Sequence, residues 1–153
     1  MSLIAKTLPS GNILCGLDAG SKEQLFEAVG LLFENNQQLP RKKVLDSLAA
    51  REKLGSTGLG YGIAIPHGRI KGLQEATGAF VKLSTPIPFD APDDQPVSML
   101  FILLVPVQAT DLHLELLGEL AQMFSDRQLR EQLQASTDCA EIHRLLTTWR
   151  PRS

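Results

Sequence analysis

The run Val97-Ser98-Met99-Leu100-Phe101-Ile102-Leu103-Leu104-Val105 is apolar at both sets of alternating positions. Successive side chains of a strand point to opposite faces, so a strand of this kind must be covered from both sides. Helical patterns that could supply the cover stand before and after it. Ser21 with Gln24 three residues on is a capping-box arrangement, and Leu25, Phe26, Val29, Leu32 and Phe33 follow at helical spacing until Asn35-Asn36. Pro40 suits the first turn of a second helix, whose apolar face is Val44, Leu45, Leu48 and Ala49, and Gly55 ends it. Ala79, Val81 and Leu83 alternate with Phe80 and Lys82 as a strand, and 12–17 is a further strand candidate. Residues 85–96 hold Pro86, Pro88, Pro92 and Pro96 and read as a connector. Helices are expected at 111–124, 127–134 and 140–148. The expectation is one α/β domain over 1–153: a sandwich whose mixed, mostly parallel sheet of about five strands is flanked by helices on both sides.

Length and composition narrow the function classes. A chain of 153 residues can bury a core without staples. A net charge of -2 gives no electrostatic case for nucleic acid. Cys15 and Cys139 show neither C-x-x-C spacing nor a disulfide framework, so both read as small buried residues in a reducing cytoplasm. The first residues lack the pattern of a signal peptide. The longest apolar run is too short to span a bilayer and includes Pro106. A soluble cytoplasmic protein without membrane insertion is expected.

The chemistry concentrates between Arg51 and Lys71. After Gly55 comes a glycine-rich stretch, then Ile63-Ala64-Ile65, then Pro66-His67-Gly68. Proline fixes its own φ and glycine removes a neighbouring side chain, so His67 stands at the tip of a short strand with its edge left open. A lone histidine in a turn is otherwise a solvated or structural residue. Gly55, Gly58 and Gly60 spell G-x-x-G-x-G, which is neither the dinucleotide fingerprint nor a P-loop. A flexible connector is the bland alternative. Arg51, on the border of the apolar face of its helix, reads equally as a solvated cation. In the helix that Thr110 would cap, His113 falls within the apolar arc of Leu112, Leu116, Leu117, Leu120, Met123 and Phe124, opposite Asp111, Glu115, Glu119 and Gln122. It fits a core position bonded to backbone, or a place at a helix start where an anion is favoured. His143 reads as a surface residue.

Taken together, these groups make a plausible cradle for a phosphoryl group. Imidazole is a nucleophile near neutral pH and forms covalent intermediates. The charge it would acquire needs donors, and Ser56, Thr57, the loop N–H of Gly58, His113 and Arg51 are the candidates. Phosphoryl transfer asks mainly for positioning and charge stabilisation, so no metal and no cofactor is called for. His67 and His113 lack metal-ligand spacing, which counts against a metal-dependent enzyme.

The residues Ala50-Arg51-Glu52-Lys53-Leu54-Gly55-Ser56-Thr57-Gly58 and Ile63-Ala64-Ile65-Pro66-His67-Gly68 resemble the signature of the type-2 IIA domains of the bacterial phosphoenolpyruvate phosphotransferase system, the fructose/mannitol class with its nitrogen-regulatory branch. Pro86-Ile87-Pro88-Phe89-Asp90-Ala91, Pro96-Val97 with Phe101 to Pro106, and His113 agree with it in order and spacing. The resemblance implies a mixed sheet flanked by helices on both sides. It implies that His67 accepts a phosphoryl group from a histidine-containing phosphocarrier protein, that His113 sits beside it, and that Arg51 binds the phosphate or shapes the site. Leu59, Tyr61 and Ile70 are expected to form an apolar rim that docks the carrier. Tyr61 stands where a small polar residue is usual, which bears on partner choice. The chain carries no IIB or membrane domain, so a free-standing regulator acting on proteins such as potassium transporters or sensors is expected. The alternatives are a IIA subunit that passes phosphate to a separate sugar-specific IIB and a pure protein-binding module.

Overall fold

The computed structural model describes residues 2–108 and 110–151, with the side chain of Thr110 outside the described part. The elements run α1 (Leu3–Thr7), β1 (Ile13–Leu17), α2 (Lys22–Gln37), α3 (Arg41–Leu54), β2 (Gly58–Gly60), β3 (Ile63–Ala64), β4 (His67–Ile70), β5 (Thr77–Ile87), β6 (Val97–Pro106), α4 (Thr110–Phe124), α5 (Arg127–Ala135) and α6 (Cys139–Thr148). The apolar run is β6, and it is the centre of the sheet. The strands lie in the order β1-β5-β6-β3-β2, with β4 also on β6. β5 and β2 pair antiparallel with their neighbours β6 and β3, while β1 on β5 and both β3 and β4 on β6 are parallel. The sheet is mixed, as expected, and has six strands among the described residues rather than about five.

Alternation along β6 assigns the two cores. Met99, Phe101, Leu103 and Val105 meet Leu116, Leu120, Met123, Leu129, Leu133, Ile142 and Leu146 from α4, α5 and α6. Leu100, Ile102 and Leu104 meet Leu25, Phe26, Val29, Phe33, Val44 and Leu48 from α2 and α3. Burial of these large apolar side chains on both faces is the main favourable term in forming the sandwich. No helix among the described residues is long and apolar enough to cross a membrane.

Three details differ from the sequence reading, and one expected feature lies outside the described residues. The weakly patterned opening forms α1, whose N-cap Ser2 accepts a hydrogen bond from Ala5 N. β5 runs on to Ile87, into the proline-rich stretch read as a connector. Its register shifts between Lys82 and Ile87, so Pro86, which has no N–H to give, falls where the regular ladder is interrupted. The expected cap at Thr110 falls on a side chain outside the described part; α4 starts at that residue. Cys15 of β1 and Cys139 of α6 are joined as a disulfide, 124 residues apart in sequence, so neither is the free buried thiol expected.

Asn12 ties this framework together beside β1. Its side chain is buried, donates to Gly78 O and to Gln37 Oε1, each at 3.0 Å, and accepts from Asn36 Nδ2 at 2.8 Å. Truncation strands the buried Gly78 carbonyl, and a lost buried partner costs about 1–3 kcal/mol. Asn12→Ala should therefore lower the urea-derived unfolding free energy by about that amount. A change below about 0.5 kcal/mol would mean that the network adds nothing to stability.

Candidate functional site

Pro66 divides what would otherwise be one strand. It lacks an N–H, so β3 stops at Ala64, but its carbonyl still accepts from Leu103 N at 2.9 Å. Pairing with β6 then resumes as β4, His67 opposite Leu103 and Gly68 opposite Leu104. The histidine thus starts an in-sheet strand rather than ending one at an open tip. Paired residues of neighbouring strands point to the same face. Leu103 belongs to the α4 side and Leu104 to the α3 side, so His67 is turned toward α4 and Gly68 toward α3. There, a Cβ on Gly68 would run into Ser47, 3.1 Å from its Cβ and closer still to its hydroxyl. The glycine is required by helix–strand packing more than by access to the imidazole.

His67 is only 9% exposed. Its Nδ1 lies 2.8 Å from Ile65 O. A carbonyl only accepts, so Nδ1 carries the proton and Nε2 carries the lone pair. Arg51 Nε donates to that Nε2 at 3.3 Å, and Arg51 Nη1 donates to Gly55 O at 2.8 Å. The His113 ring stands edge-on to the His67 ring, centroids 5.2 Å apart. Among the described residues, His113 Nε2 is buried without a hydrogen-bond partner.

Electrostatics keep both rings neutral near pH 7. Burial pushes the His67 pKa below the ordinary imidazole value; the bond to Ile65 and the Glu52 carboxylate oppose this, and Arg51 adds to it. Burial also pushes His113 down, reinforced by His67, Arg69 and Arg51. A neutral His67 with Nδ1 protonated has a nucleophilic Nε2. It faces one guanidinium and one neutral imidazole able to donate.

The glycine loop is engaged elsewhere. Ser56 Oγ donates to Phe89 O at 2.6 Å and receives Gly58 N at 3.1 Å. Thr57 donates both its N–H, at 3.0 Å, and its hydroxyl, at 2.7 Å, to the Glu52 carboxylate. The donors of Ser56, Thr57 and Gly58 expected to hold phosphate are therefore already used inside the fold. Glu52, 6% exposed along its side chain, also binds Lys22 Nζ at 3.0 Å. It fixes the loop that receives the second arm of Arg51, and a single sequence gives no sign of this because its partners lie 5 and 30 residues away.

The expected docking rim is not formed as a unit. Ile70 is 3% exposed and packs in the α2/α3 core, because β4 continues through it along β6. Leu59 is half-buried against the opposite core. Tyr61 is 70% exposed, in the left-handed region at φ 59°, in the turn between β2 and β3. Asp93 accepts from its N–H at 3.0 Å, and the Arg130 guanidinium lies 4.1 Å over its ring. Ile63 is paired with Met99 and His67 with Leu103, so the backbone where the hairpin starts lies about 13 Å along the strands from that of His67. Tyr61 does not border His67. His143, read as a surface residue, places Nε2 2.9 Å from Leu8 O and ties α6 to the end of α1.

A buried imidazole beside a guanidinium and a second imidazole thus stands on a mixed sheet clad by helices, a small α/β protein. The chain belongs to the family described as "Phosphoenolpyruvate-dependent sugar phosphotransferase system, EIIA 2", which matches residues 6–149. It is 37% identical to the nitrogen regulatory protein of Pseudomonas aeruginosa over 147 residues, covering 95% of this chain and 96% of that one. It is 41% identical to the nitrogen regulatory protein of Escherichia coli over 128 residues, 83% of this chain and 78% of that one. The crystal structure of nitrogen regulatory protein IIA-Ntr from Neisseria meningitidis superposes with a TM-score of 0.90 at 51% identity, covering 95% of this chain and all of that chain.

The depressed imidazoles give the fold a pH dependence. Unfolded, both rings titrate near 6.5, and folded, both titrate lower. The unfolded chain therefore binds more protons in that window, and their contribution to stability, full above 6.5, is lost as pH falls through the folded values. Urea midpoints measured at about pH 7.5 and pH 5 should fall more for the native chain than for a His67→Gln/His113→Gln variant. Equal falls would show that neither ring is desolvated in solution.

Proposed function

We propose that the chain is a phosphohistidine carrier of the phosphoenolpyruvate-dependent phosphotransferase system, and that His67 Nε2 accepts the phosphoryl group from a histidine-containing phosphocarrier protein of the nitrogen branch. The observation that carries this reading is the tautomer: Ile65 O holds the Nδ1 proton, leaving the Nε2 lone pair, to which Arg51 Nε donates, as the nucleophile. As the Nε2–P bond forms, the bond between phosphorus and the carrier's imidazole nitrogen breaks, and that electron pair stays on the carrier. The His67 ring becomes cationic while retaining its Nδ1 proton, which Ile65 O and the Glu52 carboxylate favour. The phosphoryl group brings about -1.5 to -2 charges. Arg51 Nε loses its acceptor when Nε2 is phosphorylated and turns to a phosphoryl oxygen. His113 Nε2, unpartnered at rest, supplies a second donor. Transfer of this kind rests on positioning and electrostatics.

The nitrogen-regulatory relatives support a regulatory role in the cytoplasm, in which the phosphorylation state of His67 governs docking to target proteins such as potassium transporters or sensors. Phosphoenolpyruvate, enzyme I and the cognate phosphocarrier should add one acid-labile phosphate by intact mass, absent in His67→Ala. His113→Ala and Arg51→Ala should each slow transfer by about 10²-fold, and His113→Gln, which keeps a donor, by less. A phosphate that persists in His67→Ala, or unchanged rates in both of the other variants, would overturn the assignment.

A further inference from the structure

The Cys15–Cys139 pair lies away from His67 and is not used by the phosphotransfer reading. β1 is two strands from β6, the strand that carries β4. The two Cα atoms are 5.9 Å apart, inside the range that a disulfide spans without backbone movement. The two ends of the bond are not equivalent. Cys15 is half-buried in β1, whereas Cys139 is exposed and is the first residue of the ten-residue helix α6. A helix start favours negative charge, which would help a thiolate at Cys139. Asp138 opposes this, with its carboxylate turned to Ala140 N at 3.0 Å, and Glu141 also sits in the first turn.

Contacts besides the disulfide also hold the segment leading into Cys139. Lys82 is the register partner of Cys15, so its side chain leaves the same face of the sheet. Its ammonium donates to Leu133 O at 3.1 Å, Gln134 O at 2.7 Å and Ser136 O at 2.6 Å. From the far end of α6, His143 reaches Leu8 O. These contacts do not involve the sulphurs, so they hold the two segments together independently of the bond. Opening the bond would change the chain's connectivity without dismantling the site of closure.

We propose that Cys15 and Cys139 form a thiol–disulfide exchange site whose co-substrate is a small-molecule disulfide of the glutathione class. In oxidation, the Cys139 thiolate attacks one sulphur of glutathione disulfide, forming a mixed disulfide and expelling one glutathione thiolate. The Cys15 thiolate then attacks Cys139 Sγ, forming the protein disulfide and expelling the second. Two electrons pass from the protein to glutathione, and the two thiol protons go to solvent or to the released thiolates. Reduction runs the same steps in reverse, with glutathione thiolate attacking the Cys139 sulphur and Cys15 leaving. The oxidised form links the edge strand to the last helix across a 124-residue span and so stabilises the fold by restricting the unfolded chain.

The test is a titration of the full chain in glutathione buffers of varied oxidised-to-reduced ratio, quenched with N-ethylmaleimide and read by intact mass and peptide mapping. The native chain should convert between a doubly alkylated dithiol and an unalkylated disulfide, reversibly. The oxidised form should melt on the order of 5–15 °C above the reduced one. Cys15→Ser should trap one glutathione on Cys139, and Cys139→Ser should take up markedly less on Cys15. Two alkylated thiols at every ratio, a disulfide that reduced glutathione never opens, or equal glutathione capture by the two variants would overturn the proposal. If a serine variant fails to fold, the titration and mapping of the native chain decide.

Discussion

Parallel pairing of β4 with β6 decides which way every residue around His67 points. It turns the imidazole toward α4 and His113, turns Gly68 onto α3, and sends Ile70 into the core. The pairing is enforced by β6, which is apolar on both faces and has nowhere to go but the centre. A slip of one residue would exchange the two faces and bury Arg69 in place of its neighbours. The site is therefore a consequence of sheet register, with Pro66 supplying the one break that lets the Ile65 carbonyl reach back to His67 Nδ1.

Around that ring the charges suit the proposed change of state. At rest the imidazoles are neutral, a guanidinium rests on the lone pair, and a buried Nε2 of His113 has no partner among the described residues. An unpartnered buried polar atom is unfavourable in a finished structure. In the proposed transfer it is satisfied by the incoming oxygens, so the resting site forgoes some stability that the phosphorylated one regains. Glu52 works one layer back: it ties Thr57 and Lys22 together and so fixes the Gly55 carbonyl on which Arg51 is braced.

Much of this was legible in the sequence because it is local. A run apolar on both faces, helical spacing in α2, α3 and α4, and the crowding of Gly, Pro and His around residue 67 all lie within a few residues of one another. What the sequence concealed is long-range. The Ser56 and Thr57 hydroxyls look like phosphate donors until Phe89 and Glu52 are seen to take them. Ile70, expected in the rim, is instead core because the ladder resumes after the proline. Tyr61 is exposed, but strand register carries it to the other end of the edge. The pairing of Cys15 with Cys139 has no local sign at all, since only the packing of α6 on β1 brings them together.

In the proposed transfer Nε2 of His67 is the reactive atom because Nδ1 is committed to Ile65. Heteronuclear NMR of the phosphorylated, ¹⁵N-histidine-labelled chain tests it most directly, through coupling between phosphorus and the ring nitrogens. One phosphorus coupled to His67 Nε2, with Nδ1 still protonated, is the expected result. Phosphorus on Nδ1, or on the ring of His113, would contradict it.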